Sequence, residues 1–147
     1  MEADLSGGAQ KIVFDFNATI ALYRNTITTG GADRCTCISC KNFAAQRSNG
    51  YPIEFLELLK KLGVDPLIEW EAFDYEASDV PSKHLYGGWF LFCGQLVEGG
   101  DERLSLAEQN FVHWFTSSFP TRTLPKHARL CAVEFTAELL RTSGLGL

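Results

Sequence analysis

The chain has 147 residues, the size of one ordinary domain, and its hydrophobic and charged fractions of 46% and 21% are typical of a folded globular protein. The net charge is −5 and the basic residues are scattered, which argues against nucleic acid as a partner, because backbone binding needs a concentrated positive surface. The charge balance permits a basic partner, including a basic protein. Neither a secretory signal nor an apolar run of membrane-spanning length is evident, so a cytoplasmic location is expected.

The first predicted structure is an N-terminal β hairpin. Residues 1–10 are expected to be a flexible leader. Residues 11–16 alternate apolar and polar positions as a strand does, and residues 19–23 resume the alternation. Residues 26–29 are rich in β-branched side chains, which predicts a short return strand.

A pair of helices is predicted next. Residues 41–47 are typical of a short helix. Pro52 then opens a second helix at a position that tolerates the missing N–H, and Gly63 provides its stop. Within this second helix an apolar stripe recurs at i, i+3, i+4 and i+7, namely Phe55, Leu58, Leu59 and Leu62.

The second half of the chain reads as strands. Residues 67–76 alternate acidic and aromatic side chains, and residues 85–97 are apolar on both faces, which predicts a central strand. Residues 111–119 alternate weakly. Residues 129–140 fit a helical stripe as well, but strict alternation over nine positions favours a strand. Residues 141–147 are expected to be a loose tail.

These elements predict one α+β domain over residues 11–140. Its mainly antiparallel sheet has five to seven strands, and the helical pair is inserted after the N-terminal hairpin and packs on one face.

Three cysteines within six residues, Cys35, Cys37 and Cys40, are the densest group of soft ligands in the sequence. Their spacing combines C-x-C with C-x-x-C and can place thiolates around zinc, for which His84 or His127 would be the fourth ligand. Other residues that could complete the site are Cys93, His113 and Cys131. Three further interpretations stay open: a redox dithiol, a disulfide within the cluster, or small buried side chains that close a turn onto the helix.

An acidic and aromatic stretch lies downstream of the helices. Its predicted binding residues are Glu69, Trp70, Glu71, Phe73 and Tyr75. Aromatic side chains flanked by carboxylates suit recognition of a basic protein or peptide. The alternative is a solvated edge strand whose charges resist aggregation.

Two stretches carry a resemblance to known proteins. The CxCxxCxNF stretch begins at Cys35, and a YGGWFxFxG stretch begins at Tyr86. Together they resemble a group of short, uncharacterised bacterial proteins with no assigned activity. The resemblance implies a bacterial, soluble, single-domain protein and adds no catalytic residue.

Two functional hypotheses follow. The sequence shows no complete catalytic constellation, which favours a non-catalytic interaction protein that binds a basic partner; an immunity-type role, in which it blocks a toxin, is one concrete form. The alternative is a zinc-stabilised domain or a metal-dependent enzyme that uses Cys35, Cys37 and Cys40.

Overall fold

The computed structural model describes residues 2–7, 10–75, 82–99, 111–119 and 129–141. Within them, six strands form one antiparallel sheet in the order β1-β2-β4-β6-β5, and β3 also pairs with β4. The strands are β1 (Glu2–Gly7), β2 (Gln10–Asp15), β3 (Glu71–Asp74), β4 (Lys83–Glu98), β5 (Phe111–Thr116) and β6 (Leu130–Leu140). The helices are α1 (Phe16–Asn25), α2 (Ile38–Gly50) and α3 (Ile53–Leu62). The α+β prediction is confirmed.

Strand β4 is the centre of the sheet, as its apolar sequence predicts. It pairs with β6 along one side, and with β3 and then β2 along the other. The two glycines of its first half are required by close neighbours. A Cβ atom on Gly87 would lie 2.7 Å from the ring of Phe73, and one on Gly88 would lie 2.6 Å from the carbonyl oxygen of Glu71.

The N-terminal hairpin involves different residues from those predicted. Residues expected to be a flexible leader form β1, which pairs with β2 from Glu2 to Gly7. Residues 19–23 are helical, and residues 26–29 form no strand. The helix begins after Asp15 because the Asp15 carboxylate accepts a hydrogen bond from the Ala18 N–H at 2.9 Å, which is N-capping.

Helix α1 occupies the part of the β4 edge that lies between β3 and β2. The Tyr23 hydroxyl donates to the carbonyl oxygen of Leu91 at 2.6 Å. The Cys93 N–H donates to the Thr19 hydroxyl oxygen at 3.0 Å. These side chains satisfy backbone groups that would otherwise be buried without partners.

Both predicted helices are present. Helix α2 extends three residues beyond its predicted range at each end, from Ile38 to Gly50. Helix α3 ends at Leu62 and is capped by Gly63, whose φ of 87° is in the left-handed region that glycine tolerates. Phe55, on the predicted stripe of α3, packs against the rings of Phe90 and Phe135, with centroids 6.0 and 5.8 Å apart. Phe43 of α2 also packs against the ring of Phe135, with centroids 6.1 Å apart, so both helices cover the same face of the sheet.

Strand β6 confirms the strand interpretation of residues 129–140, so the helical alternative is wrong. The alternating positions predicted to share a face are all buried, namely Cys131, Val133, Phe135, Ala137 and Leu139. Residues 142–147 of the expected tail and His127 lie outside the described residues. No helix in the described ranges is long and apolar enough to cross a membrane.

A glutamine side chain links β2 to β5, the last strand of the sheet order. Gln10, at the start of β2, donates through Nε2 to the carbonyl oxygen of Phe115 at 2.7 Å and accepts through Oε1 from the Phe115 N–H at 2.9 Å. Since Phe115 lies on β5, the sheet curls enough to bring β2 to the last strand of the order.

We expect Asp15→Ala to lower the free energy of unfolding by about 1 kcal/mol, because α1 loses its N-cap. Asp15→Asn keeps an oxygen acceptor at the same place and should retain most of the stability. Urea unfolding followed by circular dichroism measures both. Equal losses for the two variants would contradict the capping role.

Candidate metal centre

The turn that precedes the cysteines is held in place by Glu69. The Gly31 N–H donates to the backbone oxygen of Glu69 at 2.7 Å, and the Ala32 N–H donates to its carboxylate at 3.3 Å. A Cβ atom on Gly30 would lie 2.7 Å from that carboxylate, so this position requires the absence of a side chain. A single 3-10 turn, Ala32–Arg34, follows and leads directly into Cys35.

Glu69 is fully buried, with 0% exposure, and its predicted place on a binding surface is wrong. Its carboxylate accepts two hydrogen bonds from Arg47 of α2, at 2.9 and 3.2 Å. Arg47 also donates to Asp33 at 2.8 Å. Glu69 lies in the interior because its carboxylate is the partner of the buried Arg47 guanidinium.

Arg47, Glu69 and Asp33 form an ion network, in which the pKa values of Arg47 and Glu69 depend on their partners. Burial acts to lower the pKa of Arg47, but the hydrogen bond that Arg47 donates to Asp33 and the charge of Glu69 raise it overall, so the guanidinium stays charged. Burial raises the pKa of the Glu69 carboxyl, and the charge of Arg47 opposes that shift. The network therefore joins the turn, α2 and the chain before β3.

Trp70 is also structural and not a surface residue. It is buried, and its backbone oxygen accepts a hydrogen bond from Arg34 at 2.8 Å. The Arg34 guanidinium lies over the Trp70 ring, 5.4 Å from its centroid, a cation–π arrangement. This contact fixes the residue that immediately precedes Cys35.

The three cysteines converge, as the metal interpretation requires. The sulfur atoms of Cys35, Cys37 and Cys40 all lie within 4.8 Å of one another, and those of Cys35 and Cys37 are 3.2 Å apart. Thiolates bound to tetrahedral zinc at about 2.3 Å lie about 3.8 Å from one another. The observed group fits such an ion after shifts of about 1 Å or less, judged against that geometry.

Backbone N–H groups point at these sulfurs. Cys37 is the N-cap of α2, and its sulfur accepts from the Cys40 N–H at 3.4 Å. Hydrogen bonds to the Cys35 sulfur, the strongest from the backbone of Cys37, lower the pKa of Cys35. Burial raises the pKa of Cys40, which packs against the core. The positive end of the helix faces the cluster and favours negative charge on its sulfurs.

A network of side chains from β3 and β4 holds the first turn of α2. Asp74 of β3 accepts a hydrogen bond from the Ser39 hydroxyl and pairs with Nε2 of His84. Tyr86 donates to the backbone oxygen of Ser39 at 2.9 Å, and Asn42 donates to the Tyr86 hydroxyl at 3.0 Å. Ser39, which precedes Cys40, is thus held by side chains from two strands.

No fourth ligand joins the cluster among the described residues. His84, proposed from the sequence, is buried against Asp74 and is not part of the converging group. Cys131 is buried elsewhere, with its sulfur 3.3 Å from the carbonyl oxygen of Thr116. His113 packs against Phe55, with ring centroids 5.3 Å apart, and burial lowers its pKa. Cys93 is also buried apart from the cluster, where its N–H is bound to Thr19.

Three of the predicted binding residues do share one face of the sheet. Glu71 is exposed, Phe73 is half-buried and Tyr75 is 39% exposed. The rings of Phe73 and Tyr75 meet edge to face at 5.0 Å, and Phe73 lies 5.5 Å from Trp89 of β4. The acidic and aromatic surface is therefore smaller than predicted, since Glu69 and Trp70 are turned inward.

Comparison of the sequence with known protein families and curated proteins, and of the fold with solved structures, finds no match. The resemblance to short bacterial proteins stays a prediction.

Replacing Glu69 should be far more destabilising than replacing Glu71, two residues away. We expect Glu69→Gln to cost about 3 kcal/mol, because a buried guanidinium loses one of its two carboxylates. The matched variant Glu71→Gln, at an exposed position, should change stability by less than about 0.5 kcal/mol. Chemical unfolding of the two variants in parallel measures the difference, and similar values for both would contradict the buried network.

Proposed function

We propose that this chain is a zinc-binding domain in which Cys35, Cys37 and Cys40 hold the ion. The observation that carries the proposal is the convergence of the three sulfurs within 4.8 Å. Thiolates are strong zinc ligands, and a bound ion removes the protons from the thiols it binds. The proposed setting is the bacterial cytoplasm, where thiols stay reduced and available to a metal.

The surroundings of the cysteines support this role. Three thiolates and one Zn²⁺ carry a net negative charge, which the N–H groups at the start of α2 partly offset. The cluster is also positioned by interactions that do not involve a metal, through Glu69 on one side and Asp74 on the other. A partly preformed site binds an ion with less loss of chain entropy than a disordered one.

The number of protein ligands separates a structural from a catalytic role for the ion. Structural zinc is closed by four protein ligands, whereas catalytic zinc has three and a water. The described residues provide three. An ion held by these three alone would have an exchangeable position that could bind and activate water, while recruitment of His127 would make the site structural.

We expect the protein purified without chelator to contain about one zinc per chain, as the fit to a single tetrahedral ion requires. We expect each of the variants Cys35→Ser, Cys37→Ser and Cys40→Ser to contain much less zinc. The control variants Cys93→Ala and Cys131→Ala should keep their zinc content. Elemental analysis measures the content. In the cobalt-substituted protein, thiolate-to-metal absorption reports the sulfur ligands directly.

Chelator should lower the melting temperature of the zinc-loaded chain, because the ion binds the folded state only. Zinc well below one per chain, together with melting that chelator leaves unchanged, would refute the metal site. Equal loss of zinc in Cys93→Ala would show that unfolding, and not ligand removal, is responsible.

A second proposed function is protein interaction through the exposed part of β3. Glu71 of β3, Trp89 of β4 and Glu134 of β6 are register partners on three neighbouring strands, so they share one face of the sheet. Phe73 and Tyr75 extend this face with aromatic surface. Carboxylates around aromatic rings favour a basic partner through ion pairs and cation–π contacts. An immunity-type role is one form of this proposal, and nucleic acid is not a proposed partner.

Capture of a partner from a bacterial lysate tests this surface. We expect Tyr75→Ala and Glu71→Lys to reduce the recovery of a specific protein at least tenfold, a loss of about 1.4 kcal/mol or more. Glu57→Lys makes the same charge change at an exposed position of α3 and should have no effect. Equal losses in Glu57→Lys would indicate a net-charge effect, and unchanged recovery in all variants would exclude the β3 surface.

A further inference from the structure

We propose that Cys35 and Cys37 are a reversible redox pair, which peroxide converts to a disulfide with release of the zinc ion. The release step rests on the proposed zinc site, whereas disulfide formation does not. The inference comes from the spacing, the exposure and the position of the two sulfurs relative to α2.

The two sulfurs are already close. The Cys35 thiol donates to the Cys37 sulfur at 3.2 Å, and a disulfide bond is about 2.05 Å long, so closure needs an approach of about 1.2 Å. Cys37 is exposed and Cys35 is half-buried, so a small oxidant reaches them from solvent. Cys93 and Cys131 are buried in the core and should react much more slowly.

The positions of Cys35 and Cys37 relative to α2 favour a disulfide between these two residues over a disulfide that includes Cys40. Cys35 and Cys37 both precede Ile38, the first residue of the helix, whereas Cys40 lies within the first turn and contacts the core. A bond between Cys35 and Cys37 can therefore form without moving the helix. A bond to Cys40 would require its sulfur to leave its packed position.

The chemistry balances with hydrogen peroxide as the two-electron oxidant. The Cys37 sulfur attacks one peroxide oxygen, the O–O bond breaks, and the products are a Cys37 sulfenic acid and one water. The Cys35 sulfur then attacks the Cys37 sulfur, the S–O bond breaks, and a second water leaves as the disulfide forms. In the metal-free chain each thiol contributes one proton, and peroxide is reduced to two waters. In the zinc-bound chain the two sulfurs are already thiolates, so the two protons come from solvent water.

Oxidation removes two of the three zinc ligands at once. A disulfide sulfur is a poor ligand compared with a thiolate, so the ion is released. The Cys37 sulfur also becomes a weaker acceptor for the Cys40 N–H, so the N-cap hydrogen bond of α2 is weakened. Cellular dithiols can reduce an exposed disulfide of this kind, so the change is reversible.

Trypsin is suited to the test, because it cleaves after Arg34 and Lys41 and releases one heptapeptide that contains all three cysteines. The full-length, zinc-loaded chain is treated with a small excess of hydrogen peroxide, and zinc release is followed with a chromogenic chelator. The protein is then alkylated, digested and analysed by fragmentation mass spectrometry. A metal-free sample is treated in parallel.

We expect a heptapeptide that has lost two hydrogens, with Cys35 and Cys37 joined and only Cys40 alkylated. One zinc per disulfide should be released, and dithiothreitol should restore zinc binding. Cys35→Ser and Cys37→Ser should abolish this disulfide, while Cys40→Ser should still form it. Cys93 and Cys131, alkylated after unfolding, serve as internal controls.

The outcomes separate this inference from the zinc proposal. If the protein cannot be loaded with zinc but peroxide still forms the Cys35–Cys37 disulfide, the redox pair is supported and the metal site is refuted. If the zinc-loaded protein still has three cysteines that can be alkylated after peroxide treatment, the redox pair is overturned. A disulfide that includes Cys40 would overturn it as well. Oxidation of the three cysteines to sulfinic acids without a disulfide would also overturn it.

Discussion

The buried contact between Arg47 and Glu69 is the interaction on which the arrangement of the cysteines depends. It joins α2 to the chain segment before β3, and through Asp33 and the Ala32 N–H it also fixes the turn that leads into Cys35. Charges buried in this way contribute little net stability, because desolvation offsets their attraction. What they provide is a defined geometry: Arg47 holds the carboxylates of Glu69 and Asp33 together, and these contacts place the turn beside the start of α2.

Sequence periodicity predicted the elements whose burial depends on regular spacing. The stripe of α3 and the alternation of β6 each repeat over many positions, so local pattern and tertiary packing agree. The segment after Asp15 has no such repetition. The Asp15 carboxylate caps a helix here, and two hydrogen bonds join that helix to β4: Tyr23 donates to Leu91, and Thr19 accepts from Cys93. The two partners on β4 lie more than 65 residues away in the sequence.

The cysteines of the candidate site could be predicted from the sequence, but the residues that surround them could not. The spacing of Cys35, Cys37 and Cys40 indicated the cluster directly. By contrast, Glu69 looks like an exposed strand residue until Arg47, 22 residues earlier, is placed against it, and no spacing rule connects the two. Gly30 and Gly31 were the available signal, because adjacent glycines mark close backbone approach, and here they make room for Glu69 and Trp70.

The two hydrogen bonds between Gln10 and Phe115 have a consequence for the behaviour of the protein at high concentration. Strand β5 ends the strand order of the described sheet, and its outer N–H and C=O groups could pair with another chain. The Gln10 amide presents a donor and an acceptor in the same spacing as a neighbouring strand and occupies both groups of Phe115. The Gln10 side chain therefore prevents a strand of another molecule from pairing with β5 at Phe115.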